Sequence, residues 1–310
     1  MGRSQRASKV RRVGGVGRGR EFPHTSGGGR SSLRVSEAVT QGVRILLQGV
    51  TNYFCGMVPN TGLCVGLDVD PSRFPAEYTQ GPDSIVEFCS EIISLTRDVA
   101  TCYKINTAFY EQFGRKGIDA LYAVRDAVGT AYVIADAKRG DIGNTSSAYA
   151  RAVFEDLQAD AITVAPYMGR DSVEPFLQWQ GKMVYVLALT SNPGSADFQR
   201  QNVGGKMLFE HVMESVLSWD RVSDIGFVVG ATHERELAAI RTSYTDVAFL
   251  VPGIGAQGGD ARLIASANAG GPAVFNVSRG LIYAGSGEDW RNAVRTEAIR
   301  LAHELHSPGE

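Results

Sequence analysis

Eight short runs rich in apolar and β-branched residues recur from residue 63 onward, and they limit the possible folds more than any other feature. They are LCVGLDV (63–69), TCYKIN (101–106), AYVIADAK (131–138), AITVAP (161–166), MVYVLALT (183–190), IGFVVGA (225–231), VAFLVPGI (247–254) and AVFNVSR (273–279). Each reads as a continuous apolar stretch rather than an alternation, the pattern of parallel strands buried on both faces. Helical patterns separate them. PDSIVEFCSEIISLTRDVA (82–100) opens on Pro-Asp and sets Ile85, Phe88, Cys89 and Ile92 on one face. GIDALYAVRDAV, SSAYARAVFEDL, SVEPFLQW, KMLFEHVMESVLSW, HERELAAIRTSY, DARLIASANA and DWRNAVRTEAIRLAHEL follow in turn, with His233 as a helix-start residue. Eight strands alternating with eight helices predict an α/β fold, a (β/α)8 TIM barrel over residues 62–310. A doubly wound sheet usually has fewer strands and a clearer switch point.

The segment before the barrel differs in kind. Residues 1–34 hold nine Lys/Arg, one acid (Glu21) and eight Gly, with no apolar periodicity. Such a stretch buries too little surface to offset its ordering entropy, so a disordered basic tail is expected. Its net +8 leaves −10 for the remainder of a chain whose formal charge is −2. Three readings stay open: a flexible or upstream-start appendage, a transit-like peptide, and a nucleic-acid arm, the last with too few aromatics for base stacking. Residues 35–61 read as a weak helical lead-in to the first strand.

The 310-residue chain is 44% hydrophobic and 21% charged, ordinary globular chemistry. Its near-neutral net charge gives no whole-chain argument for nucleic acid, and no apolar run is long enough to span a bilayer. Cys55, Cys64, Cys89 and Cys102 show no C-x-x-C pairing and no histidine at metal-ligand spacing. Buried free thiols in a reducing, cytoplasmic setting are expected, with no metal site.

In a barrel of this type the active site forms at the C-terminal strand ends. Those ends carry Asp68 and Asp70, Lys104 and Asn106, then Asp136, Lys138 and Asp141, then Thr190, Ser191 and Asn192. Asp136 and Lys138 are two apart, so strand alternation sends both to one side. That side is the barrel interior if Ile134 shares it and Val133, Ala135 and Ala137 face the helices. Asp68, Lys104, Asp136 and Lys138 then form a row of alternating sign, in which carboxylates keep the lysines protonated. A structural salt-bridge network is the alternative reading of the same row.

Gly253, Gly255 and Gly258 match G-x-G-x-x-G, but late in the chain and with no acid about 20 residues on, as a dinucleotide site needs. Loops after the seventh and eighth strands of such barrels commonly bind phosphate, and Arg279 could add a bidentate contact there. Plain turn glycines are the alternative. The polar loop LTSNPGSADFQ (189–199) offers Ser191 and Asn192 as neutral partners for the amide edge of a planar ring, though NPGS alone is only a turn.

Taken together these motifs resemble the orotidine 5'-phosphate decarboxylase family. DAKRGDIGNT (136–145) is similar to its D-x-K-x-x-D signature, CVGLDVDP to its first strand, and YKIN to its second-strand lysine. TSNPGSADFQ, VPGIGAQGGD and NVSRG resemble its later loops in the longer bacterial subgroup, so the resemblance spans roughly residues 62–303. It implies cofactor-free and metal-free decarboxylation of orotidine 5'-monophosphate to UMP, in de novo pyrimidine synthesis, by a homodimer. Carried over by motif, Lys138 protonates the ring carbon, and Asp136 sits beside the departing carboxylate and holds Lys104 and Lys138. Asp68 and Lys104 contact the ribose. Asp141, with Ile142 and Thr145, reaches the partner's site. Ser191 reads the pyrimidine, and Pro252 joins the substrate contacts. Gln257 and Arg279 hold the phosphate with the backbone near Gly258, Gly259 and Gly280. Relatives that share the signature but bind Mg²⁺ use an acid on strand two, where this chain has Lys104.

Overall fold

The computed structural model describes residues 61–230, 234–254 and 260–306. The basic tail, the lead-in apart from Thr61, His233, Gln257, Gly258 and Gly259 lie outside the described residues.

Each of the eight apolar runs forms a strand. They are β1 (Gly62–Gly66), β2 (Cys102–Asn106), β3 (Val133–Arg139), β4 (Ala161–Val164), β5 (Met183–Leu189), β8 (Asp224–Val229), β9 (Ala248–Pro252) and β10 (Ala273–Val277). They close into a parallel barrel in the order β1-β10-β9-β8-β5-β4-β3-β2. Closure is made by β1 on β10, with Leu63 beside Phe275 and Val65 beside Val277. The (β/α)8 architecture therefore stands as read from the sequence.

The continuous apolar character of the strands follows from two buried faces. Inward, a tight cluster of Cys64, Cys102, Ile134, Ala161, Met183, Tyr185, Val228, Ala248, Leu250 and Val274 fills the barrel. Outward, Val65, Tyr103, Val133, Ala135, Ile162, Val184, Phe227, Phe249 and Phe275 pack under the helices. The principal helices are α1 (Ile85–Thr96), α3 (Gly114–Val128), α4 (Gly143–Arg151), α5 (Arg170–Leu177), α6 (Leu208–Leu217), α7 (Glu234–Ser243), α8 (Ala261–Ala267) and α10 (Trp290–His306). Two one-turn helices, α2 (Ala108–Glu111) and α9 (Arg279–Ile282), sit directly after β2 and β10. Burial of Phe88 and Trp290 against Tyr78 and Tyr283 knits the first and last helices together.

Two local departures from the sequence reading bear on the site. The helix expected to begin at Lys206 begins at Leu208, because Lys206–Met207 (β7) pairs antiparallel with Asn202–Val203 (β6). Gly204 and Gly205, both at positive φ, make that hairpin turn. On β3, regular alternation fails beyond Ala135: the register against β4 shifts between Ala135 and Arg139. Lys138 there adopts φ 44°, a left-handed conformation that costs a non-glycine residue about 1–2 kcal/mol.

Among the described residues no helix is long and apolar enough to cross a membrane. Cys64, Cys89 and Cys102 are buried and free, and burial pushes the Cys89 thiol up to about 12.

Candidate active site

The charged strand ends meet at one rim. Lys104 lies level with Ile134 on the neighbouring strand, inside the barrel, and its long side chain runs upward. Its Nζ donates to Asp136 Oδ2 at 3.0 Å and to Asp68 Oδ1 at 3.1 Å. Asp136 Oδ1 accepts from Lys138 Nζ at 2.6 Å. The sequence Asp68–Lys104–Asp136–Lys138 is thus a continuous chain of ion pairs with alternating sign and formal neutrality.

The two lysines differ in setting. Lys104 is 3% exposed, whereas the Lys138 side chain is 47% exposed. Burial pushes the Lys104 ammonium toward neutrality, but the charges of Asp136 and Asp68 outweigh it and raise its pKa. Burial likewise disfavours the Asp136 carboxylate, and here Lys104 and Lys138 win and hold it well below the usual carboxylate range. The inner pair is therefore locked as ions, while Lys138 stands at the open end of the chain, free to meet a ligand. As a chemical device it presents a fixed ammonium beside a fixed carboxylate, on a barrel mouth walled by apolar strands.

Both ions reach the same side despite the irregular strand. Ile134 lies inside and Val133, Ala135 and Ala137 lie toward the helices. Past Asp136 it is the bulge, not simple alternation, that turns Lys138 back to its neighbour. One residue absent from the sequence reading holds this bulge. Thr163 on β4, fully buried, accepts from the Lys138 backbone N–H at 2.9 Å and donates to Asp136 Oδ1 at 2.9 Å. The signal lay in AITVAP: a hydroxyl at the inward position two after Ala161, on the strand beside Asp136.

The other residues distribute around this centre. Arg139 turns away, paired with Glu111 and stacked 4.9 Å from the Tyr149 ring. Asp141 accepts from the Ile142 N–H at 2.8 Å and joins no ion pair among the described residues. Ile142 and Thr145 point to solvent, Ile142 at 52% exposure. Ser191 follows β5, in a loop organised by Gln199, whose Oε1 accepts from the Thr190 N–H at 2.7 Å. Gly230, at the end of β8, packs so close that a Cβ would lie 2.7 Å from Ser191 N, so only glycine fits. Pro252 ends β9 beside Asn276, and Arg279 and Gly280 open exposed α9 at the end of β10. Arg279 makes no ion pair among the described residues. Gln257, Gly258 and Gly259 lie outside them.

Among the described residues no group of three or more His, Cys, Asp or Glu side chains is placed to hold a metal. The acids nearest the centre, Asp68 and Asp136, are both occupied by Lys104.

Residues 61–293 match the family model described as the orotidine 5'-phosphate decarboxylase / HUMPS family. A curated orotidine 5'-phosphate decarboxylase of Flavobacterium johnsoniae is 45% identical over 249 residues, 78% of this chain and 91% of the relative. One from an Azoarcus species is 46% identical over 253 residues, 79% of this chain and 93% of the relative. Among solved structures, the Leishmania donovani OMP decarboxylase superposes with a TM-score of 0.69 at 39% identity, covering 80% of this chain and 95% of that one. The match spans all eight barrel strands and both ends of the charge chain, so this protein belongs to the orotidine 5'-phosphate decarboxylase / HUMPS family.

Proposed function

We propose that the chain decarboxylates orotidine 5'-monophosphate to UMP and carbon dioxide, as a cytoplasmic homodimer in de novo pyrimidine synthesis. The observation that carries this reading is the Asp68–Lys104–Asp136–Lys138 chain, with a lysine in the second-strand position. In the reaction the bond from ring carbon to carboxylate breaks and its electron pair stays on the ring carbon. Lys138 Nζ delivers a proton there, carbon dioxide leaves, and the lysine recovers its proton from water. A fixed ammonium stabilises the carbanion where its charge develops. Asp136 sits beside the substrate carboxylate, and its repulsion is offset by binding at the phosphate, assigned to Gln257, Arg279 and the backbone of Gly258, Gly259 and Gly280. Asp68 and Lys104 take the ribose, Ser191 the pyrimidine edge, and Pro252 joins the substrate contacts.

The dimer reading rests on the outward side of the same loop. Among the described residues Asp141 joins no ion pair. Exposed apolar side chains occur next to it and on the neighbouring loops: Ile142 at 52%, Met168 near Gly140 at 47%, and Tyr167 at 83% with Phe198 at 61%. The Tyr167 and Phe198 rings lie 6.0 Å apart. A clustered apolar surface of this kind suits a protein partner, and a second copy would bring Asp141, Ile142 and Thr145 to the neighbouring site.

The family description also covers HUMPS-type members, and the signature is shared by relatives that bind Mg²⁺. An ammonium at Lys104, already shared between Asp68 and Asp136, repels a cation from that position and favours decarboxylation without metal. The test is consumption of orotidine monophosphate by purified protein, followed by ultraviolet absorbance, with and without EDTA. Turnover indifferent to EDTA is expected. Activity that EDTA abolishes and Mg²⁺ restores would overturn the metal-free reading, and no turnover at all would overturn the substrate.

A further inference from the structure

We propose that Thr163 is a positioning residue for the Asp136–Lys138 pair, acting through one hydroxyl that sets both the lysine's backbone and the carboxylate's rotamer. The inference rests on the reading of Lys138 as the proton donor.

The geometry fixes the direction of each bond. Thr163 Oγ1 accepts from the Lys138 backbone N–H at 2.9 Å, so its own proton is free to go to Asp136 Oδ1, also at 2.9 Å. Thr163 is fully buried. The site lies where β3 leaves its regular ladder with β4, between the Ala135–Ile162 and Arg139–Val164 partners. A strand backbone normally finds its acceptor in the neighbouring strand's carbonyls. Here a side chain replaces that acceptor and holds Lys138 at φ 44°. Among the described residues the lysine side chain has no other anchor: it is half exposed, and its one ion pair there is to Asp136 Oδ1, the oxygen that Thr163 also touches. The hydroxyl therefore sets the origin of the lysine side chain and the position of its partner together. Without it the bulge can relax toward regular alternation and the carboxylate can rotate. The ammonium would then be off its aim by a distance that matters, since a displacement near 1 Å can cost about 100-fold in rate.

Thr163→Val keeps the shape and removes the hydroxyl, and Thr163→Ser keeps the hydroxyl and loses a methyl. The valine variant is expected to lose about 10- to 100-fold in kcat with KM little changed, since Thr163 touches no group assigned to substrate binding. The serine variant is expected to stay close to the parent in both. Circular dichroism and thermal midpoints identify folded protein, and if the valine chain fails to fold, Thr163→Ala against Thr163→Ser supplies the same contrast. A valine variant with parental kcat overturns the proposal. So does a serine variant as slow as the valine one, or a loss in which KM rises as much as kcat falls. Lys138→Ala run alongside separates the two levels of inference. An active parent, an inactive Lys138→Ala and an unimpaired Thr163→Val defeat the role of Thr163 alone. A Lys138→Ala chain that keeps turning over defeats the reading on which it rests.

Discussion

The barrel buries two cations in opposite ways. Lys104, at the C-terminal rim, is 3% exposed and sits between two carboxylates. Arg241, at the C-terminal end of α7 and before β9, is 2% exposed and has no carboxylate within ion-pair distance among the described residues. Its guanidinium is met by neutral groups. Nε and Nη2 donate to Asn268 Oδ1 at 3.0 and 2.7 Å, and Nη2 donates also to Pro272 O at 3.0 Å. Nη1 donates to Tyr244 O at 2.8 Å and Val247 O at 2.7 Å, which accounts for every N–H the group has. The plane lies 3.7 Å from the Phe249 ring centre, and a Cβ on Gly271 would come within 2.6 Å of it. Arg241 thus ties α7, α8 and the entry to β9 and β10 into one piece and leaves no donor for a ligand. Lys104 belongs to a chain whose far end, Lys138, is open. Burial with complete satisfaction makes a staple, whereas burial with one open end makes a site.

The sharpest way to break this distinction is to truncate the open end. Lys138→Ala should lower kcat by about 100- to 10,000-fold, the usual worth of a positioned proton donor. Stability should hardly change, because the side chain is half exposed. Mixing this variant with Asp141→Ala should restore part of the activity if Asp141 serves the neighbouring subunit. No recovery despite proven subunit exchange counts against the shared site. Truncating the staple should do the reverse. Arg241→Met strands several buried acceptors at roughly 1–3 kcal/mol each, so a loss near 3 kcal/mol or more is expected by urea unfolding. The folded fraction should retain the parental kcat. A large fall in kcat for Arg241→Met would erase the contrast.

This contrast explains what was legible in the sequence. The eight apolar runs announced the barrel because both strand faces are buried, and Asp68, Lys104, Asp136 and Lys138 stood out as charges where such strands end. Thr163 and Arg241 did not stand out. A threonine in a strand is ordinary β chemistry, and an arginine in HERELAAIRTSY reads as the wet face of a helix. Their roles come from partners 25 and 27 residues away in sequence, Lys138 and Asn268. The bulge at Lys138 was hidden for the same reason. It is specified by a side chain on β4, so strand alternation accounts for the facing of Asp136 but not for that of Lys138. The helix at Leu208 starts late because the preceding Gly-Gly turn makes a hairpin, and hairpin pairing took Lys206 and Met207 first.

The ionised core of the site also has a pH signature. Asp136 is held below its unfolded value, so it adds stability above about pH 4 that is lost as pH falls toward the lower folded value. Lys104 is raised, so its contribution is whole below about pH 10.4 and is lost only as pH climbs through the higher folded value. Both contributions are therefore complete from about pH 5 to 9. The stability gap between the parent and Asp136→Asn should be flat over that window and narrow below about pH 4, as read from urea midpoints. A gap as wide at pH 3 as at pH 7 would mean that Asp136 is not held down by its lysines.

The smallest effect belongs to a third cation, and it tests whether burial is what ranks them. Arg200, in the loop after β5, makes a two-point pair with Glu236 of α7, with Nη2 to Oε2 at 2.9 Å, and also donates to Ser195 Oγ at 3.2 Å. The pair bridges the Ser191 loop to the helix after β8, yet its side chains are 33% and 24% exposed. A half-wet pair gains little from Coulomb attraction and is screened by salt. Arg200→Met should cost at most about 1 kcal/mol at low ionic strength, and less in concentrated salt. The Arg241→Met loss should barely respond to salt, because its partners are neutral and dry. Equal salt sensitivity of the two losses would show that burial does not set the ranking. A loss for Arg200→Met as large as for Arg241→Met would show that loop attachment, rather than the filling of buried donors and acceptors, holds this end of the barrel together.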